Sequence, residues 1–203
     1  MTTERPHLAW VPNTLTLGRI AFIPVLIAAI LTYGTQQAFL GAGLLLALFI
    51  ILVLTDFLDG FLARRWGVTS DFGRMLDPIA DKLFVAGLLI CFAIMTQGAW
   101  WILAPTLVII GRDIFISGLR EHAAHEGIVM APTQLAKWKT ATEMLAICLL
   151  LIWVLFGQSA KSAGVIGMII ENTQSIGVVV LWIAAALSAY TGLHYARSAL
   201  KTN

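Results

Sequence analysis

Four aspartates carry the most specific chemistry in this sequence. The segment from Asp56 to Asp81 reads DFLDGFLARRWGVTSDFGRMLDPIAD, with Asp56 and Asp59 three residues apart and Asp77 and Asp81 four apart. On helices each pair shares one face, and two helices joined by so short a connection are neighbours, so the four carboxylates can converge. Hard oxygen donors of this kind suit magnesium or manganese, whereas zinc would favour histidine or cysteine, which the segment lacks. A pair of such ions can clamp the attacking and leaving oxygens of a phosphoryl-type displacement. Gly60 and Ala63 leave room for a ligand against the helix backbone, and Gly73 lets the connection approach a ligand or a neighbouring helix. A plainer alternative makes Asp77 an N-cap with Pro78 in the first turn and pairs the other aspartates with Arg64, Arg65, Arg74 and Lys82. It is incomplete by itself, because ionisable groups at membrane depth usually mark function. Capping remains a secondary role for Asp77.

Membrane depth follows from composition. Of 203 residues, 59% are hydrophobic and 12% charged, against roughly 25% charged in an average soluble domain. The formal net charge of +2 is too small to suggest a nucleic-acid partner. Ile20 to Thr55, Leu83 to Gly111, Met144 to Ala160 and Asn172 to Ala196 contain no charged residue. A helix crosses a bilayer in about 20 apolar residues, so the first two runs are long enough for two spans each. Tyr33-Gly34-Thr35-Gln36-Gln37 divides the first and Thr96-Gln97-Gly98 the second. The sequence therefore predicts an all-α integral membrane protein with six transmembrane helices in one bundle, near 18–33, 38–64, 78–96, 99–119, 135–157 and 175–199.

Charge placement orients that bundle. Arg5, Arg19, Arg64, Arg65, Arg74, Lys82, Arg112, Arg120, Lys137, Lys139, Arg197 and Lys201 fall on one side of the six spans and only Lys161 on the other, so both termini are expected in the cytoplasm. Trp10, Trp66, Trp100, Trp101 and Trp138 fall near helix ends, as interfacial anchors do. Residues 1–17 form the expected cytoplasmic juxtamembrane segment, and residues 1–203 a single membrane domain. A cleavable signal peptide is disfavoured by the polar first nineteen residues. The absence of an internal repeat counts weakly against an inverted-repeat transporter. A divalent-cation transporter should continue its ion pathway across the membrane, but helices 1, 5 and 6 offer no charge at mid-depth.

The spacing Asp56-x2-Asp59-Gly60-x2-Ala63-Arg64-x8-Gly73-x3-Asp77-x3-Asp81 resembles the signature of the CDP-alcohol phosphatidyltransferase family at all eight fixed positions. The resemblance implies a six-helix bundle, usually dimeric, that displaces CMP from a CDP-linked lipid or alcohol. It also implies that Asp56, Asp59, Asp77 and Asp81 hold two Mg2+ or Mn2+ ions. By the same likeness Asp59, Gly60, Ala63, Arg64 and Gly73 accommodate the cytidine diphosphate, and Asp81 acts as general base.

A second polar concentration runs from Gly111 to Thr140. Arg112 and Asp113 lie about 12 Å along helix 4 from Arg120, inside the membrane boundary. Local pairing of Arg112 with a carboxylate is one reading. The other is an anion pocket in which Arg112, Arg120, Lys137 and Lys139 meet a substrate phosphate. Ser117-Gly118-Leu119-Arg120-Glu121, Lys137-Trp138-Lys139-Thr140 and Asn13-Thr14-Leu15-Thr16-Leu17-Gly18-Arg19 are similar to segments of the phosphatidylglycerophosphate synthases of that family. This likeness implies CDP-diacylglycerol as donor, glycerol 3-phosphate as acceptor and an active site facing the cytoplasm at the inner membrane. A cardiolipin synthase, or an enzyme using inositol phosphate or serine, is the nearest rival.

The remaining features are minor. Cys91 and Cys148 sit alone in apolar runs and read as small hydrophobes. His122 and His125 lack a third ligand cluster and read as a solvated connection. Pro24 is expected to bend helix 1, and Ala184, Ala185, Ala186, Ser188 and Ala189 to give helix 6 a close-packing face.

Overall fold

A computed structural model describes residues 10–33, 39–66, 71–127, 134–160 and 164–200. Every regular element among them is helical: α1 (Trp10–Tyr33), α2 (Phe39–Trp66), α3 (Asp71–Met95), α4 (Trp100–His125), α5 (Gln134–Ala160) and α6 (Val165–Leu200). Five are long and apolar enough to cross a membrane, and the described apolar stretch of α2 is Leu40–Thr55. Large apolar side chains such as Leu44, Ile51, Leu107 and Ile114 point outward, as expected where the surroundings are lipid. The six-helix integral membrane fold is thus borne out.

The helices are longer than the apolar runs that announced them. α1 starts at Trp10, inside the expected juxtamembrane segment, and α6 starts at Val165, ten residues ahead of 175. The polar Glu171-Asn172-Thr173-Gln174 stretch is helical, because lack of charge marks where lipid begins, whereas a helix continues as long as its backbone bonds do. α3 starts at Asp71, so Asp77 is not an N-cap and Pro78 lies inside the helix. The Asp77 carboxylate instead accepts a hydrogen bond from another helix, described below. The break expected at Thr96-Gln97-Gly98 is present. Gly98 N–H bonds to Ala93 O at 2.8 Å and Gln97 N–H to Ile94 O at 3.0 Å, the paired closure of a helix end that needs left-handed backbone. Gln97 and Gly98 supply it at φ 54° and 72°. The first expected break, the side chains of Trp10 and Trp66, and Arg5, Lys161 and Lys201 lie outside the described residues.

The chain divides into two compact units, Met1–Gly87 and Leu88–Asn203. In the first, α1 buries Thr16, Arg19, Ile23, Leu26 and Ile30, one stripe at helical spacing. α3 runs parallel to it, since Thr16 meets Asp77, Arg19 meets Asp81, and Ile23 and Ile27 meet Gly87. A Cβ at Gly87 would lie 2.5 Å from Ile27 Cδ1. Phe49 of α2 stacks on Phe84 of α3 with ring centroids 5.7 Å apart.

In the second unit α4 and α6 also run parallel, with Trp101, Arg112 and Arg120 meeting Trp182, Thr191 and Tyr195 in that order. α5 runs antiparallel to both, since Lys139 meets Asp113 close to Thr191 while Leu149 and Leu150 meet Gly177, and it buries Lys139, Glu143, Ala146, Ile147, Leu150, Leu151 and Val154 along one face. The small-residue face expected on α6 is half right: Ala184, Ala185 and Ser188 are buried, but Ala186 and Ala189 are exposed, because they fall on the helix's other side.

Candidate active site

The acidic signature lies on α2 and α3 of the first unit. Asp56, Asp59, Gly60, Ala63 and Arg64 belong to the helical backbone of α2, and their side chains, with that of Arg74, lie outside the described residues. Asp77 and Asp81 are one turn apart on α3 and both exposed, and Gly73 is buried one turn before Asp77. Thr16 Oγ1 donates to Asp77 Oδ1 at 2.9 Å. Arg19 Nη1 stands 3.8 Å from Asp81 Oδ1; the arginine is 5% exposed and the aspartate 62%. From sequence, Arg19 stands as a topological charge and as the end of the Asn13–Arg19 segment, with no site role of its own. Its position three residues after Thr16, on the buried stripe of α1, was the available signal.

These carboxylates fit a divalent cation by the chemistry of their donors. Asp77 and Asp81 present oxygen to one face, and the helical backbone of α2 carries two more aspartates at the same kind of spacing. Among the described residues no group of three or more His, Cys, Asp or Glu gathers. In particular, His122 and His125 are exposed in the last turn of α4.

The basic grouping is in the second unit and is largely buried. Asp113 Oδ1 accepts from Arg112 Nη1 at 2.9 Å and from Lys139 Nζ at 2.6 Å. Lys139 Nζ also stands 2.7 Å from Glu143 Oε1, one turn on. The side chains of Lys139 and Glu143 are 5% and 3% exposed, and that of Arg112 is 13% exposed. Two cations and two carboxylates therefore cancel formally, which is what lets them lie at this depth. Local pairing of Arg112 thus occurs, and it draws in Lys139 as well. Arg120 is held differently: its Nη2 donates to Tyr195 Oη at 3.2 Å, and Cζ lies 5.2 Å from the ring centroid, a cation–π arrangement. Lys137 is exposed near the start of α5. Glu143, Thr191 and Tyr195 were missed from sequence. Glu143 could have been found as a charge one turn beyond Lys139 at the edge of an apolar run, but Thr191 and Tyr195 carry no charge to draw notice.

Comparison with known proteins agrees with the acidic signature. The family model for CDP-alcohol phosphatidyltransferase matches residues 9–190. A CDP-diacylglycerol–glycerol-3-phosphate 3-phosphatidyltransferase of Cereibacter sphaeroides is 35% identical, covering 94% of this chain and 95% of the relative. The protein of that name from Rickettsia felis is 36% identical, with 94% and 95% covered. A cardiolipin synthase (CMP-forming) of Oryza sativa subsp. japonica is 34% identical over 95% of this chain and 58% of its own. The chain belongs to the CDP-alcohol phosphatidyltransferase family.

Proposed function

We propose that this protein transfers the phosphatidyl group of CDP-diacylglycerol to glycerol 3-phosphate, releasing CMP and forming phosphatidylglycerol phosphate. The observation that carries this reading is the full acidic signature on α2 and α3 in a chain whose near-full-length relatives bear the name of that reaction. Asp56, Asp59, Asp77 and Asp81 hold two divalent cations, magnesium or manganese. When bound there, the cations neutralise the diphosphate and ease departure of CMP. Gly60, Ala63, Arg64 and Gly73 accommodate the cytidine diphosphate, with Asp59 beside them. The exposed Asp81 carboxylate takes the proton of the acceptor hydroxyl as the oxygen attacks the phosphorus bearing diacylglycerol. Thr16 and Arg19 orient Asp77 and Asp81 from α1.

Arg112, Arg120, Lys137 and Lys139 answer the acceptor's phosphate charge, Lys139 acting through Asp113. Most of the acceleration comes from positioning and electrostatics, as in other phosphoryl transfers. The enzyme works as a homodimer in the cytoplasmic membrane, with both termini and the active site on the cytoplasmic side. That orientation is supported by the one-sided placement of twelve basic residues.

The rice relative favours one second reading, in which phosphatidylglycerol is the acceptor. Purified protein given CDP-diacylglycerol, magnesium or manganese, and glycerol 3-phosphate, phosphatidylglycerol, inositol phosphate or serine in turn separates the two. CMP release is expected with glycerol 3-phosphate. Release with phosphatidylglycerol but not with glycerol 3-phosphate would reassign the enzyme.

A further inference from the structure

We infer that α6 positions the acceptor-binding arginines, with Thr191 holding Arg112, Tyr195 holding Arg120 and Gly192 making room for the Arg112 stem. This rests on the reading of those arginines as the groups that meet the acceptor phosphate. The family match ends at residue 190, just before the three residues concerned.

Thr191 Oγ1 donates to Leu187 O at 2.8 Å and also lies 3.0 Å from Ser188 O. Its proton is thereby committed to the α6 backbone, so towards Arg112 it can only accept. Arg112 Nη2 donates to it at 3.1 Å. The Arg112 side chain reaches this hydroxyl across Gly192, where a Cβ would stand 3.0 Å from Arg112 Cγ. One turn beyond Thr191, the buried Tyr195 receives Arg120 through both its hydroxyl and its ring face.

The partners on α6 are neutral, and that is their chemical point. Asp113 fixes Arg112 but cancels charge, whereas a threonine hydroxyl, a phenol and an aromatic face fix a guanidinium and leave its positive charge available to an anion. Among the described residues, Arg120 pairs with no carboxylate, and the Nε groups of Arg112 and Arg120 are buried without a hydrogen-bond partner. A guanidinium has five N–H donors, so each arginine keeps capacity for the several acceptor oxygens of a phosphate monoester. Polar contacts between membrane helices also act as packing glue, and the test must tell these roles apart.

The test is two-substrate steady-state kinetics on the full-length protein in detergent, following CMP release. Thr191→Val and Tyr195→Phe are each expected to raise KM for glycerol 3-phosphate about fivefold to tenfold. Their kcat and their KM for CDP-diacylglycerol should stay within about twofold. Thr191→Ser should restore the wild-type KM, and Gly192→Val, which displaces the arginine stem, should raise it further. Tyr195→Phe removes a single oxygen, so it reports even if the other substitutions impair folding. An unchanged glycerol 3-phosphate KM in both Thr191→Val and Tyr195→Phe overturns the inference. So does a parallel loss in kcat and both KM values with a lowered thermal midpoint, which is the signature of packing alone. If Arg112→Ala and Arg120→Ala raise that KM while the α6 variants do not, only the role of α6 fails. If the arginine variants also leave it unchanged, the acceptor-site reading fails with it.

Discussion

In the first unit α1 runs beside α3, and its Thr16 and Arg19 meet carboxylates that remain exposed. In the second, α6 runs beside α4, and its Thr191 and Tyr195 meet guanidinium groups that are mostly buried. The device is the same, a parallel helix offering polar groups about one turn apart, but the charge sign and the exposure differ. Exposed aspartates keep water around their charge, and Asp81 also has Arg19 beside it. Buried cations need compensation, which Asp113 and Glu143 provide for Arg112 and Lys139. Among the described residues, Arg120 meets neutral groups rather than a carboxylate. The acidic groups therefore face solvent, whereas Arg112 and Lys139 are held by internal pairing.

That contrast can be broken at either end. The largest effect should come from chelation of divalent cations, which is expected to abolish CMP release until magnesium or manganese is restored; activity persisting in EDTA would remove the cations from the acidic site. Next, Asp81→Asn should lower kcat by about 10²- to 10⁴-fold while some CDP binding survives in an equilibrium assay, and full turnover would refute the base assignment. Lys139→Ala leaves Glu143 buried without its ion pair and Asp113 with one partner fewer. Thermal unfolding in detergent should then show a loss of about 3–5 kcal/mol, whereas Lys139→Met with Glu143→Leu should lose much less. Smallest is Gly87→Leu, which crowds Ile27 and should cost about 1–3 kcal/mol. Gly87→Ala should cost less, because the atom it meets is the mobile tip of the isoleucine.

Much of this was legible in the sequence where charge interrupts apolar runs. The six helices, the turn at Gln97 and Gly98, and the pairing of Asp77 with Asp81 on one face all follow from spacing. Helix starts did not, because Trp10 lies ahead of the apolar run of α1, and the polar Glu171–Gln174 stretch hides that α6 already begins at Val165. The burial of Arg19 was masked by its place on the basic side, where an arginine already has a topological explanation. Thr191 and Tyr195 were invisible for another reason. They are neutral residues in an apolar stretch, and their partners lie 79 and 75 positions away, so only the parallel packing of α4 and α6 brings the pairs together.

The most direct test of the central claim, that the second unit recognises the acceptor and the first the nucleotide, is the substrate dependence of CMP release by Arg112→Ala. The expected result is a KM for glycerol 3-phosphate raised by about tenfold or more, with the KM for CDP-diacylglycerol unchanged. An unchanged glycerol 3-phosphate KM, or a defect confined to CDP-diacylglycerol, would contradict it.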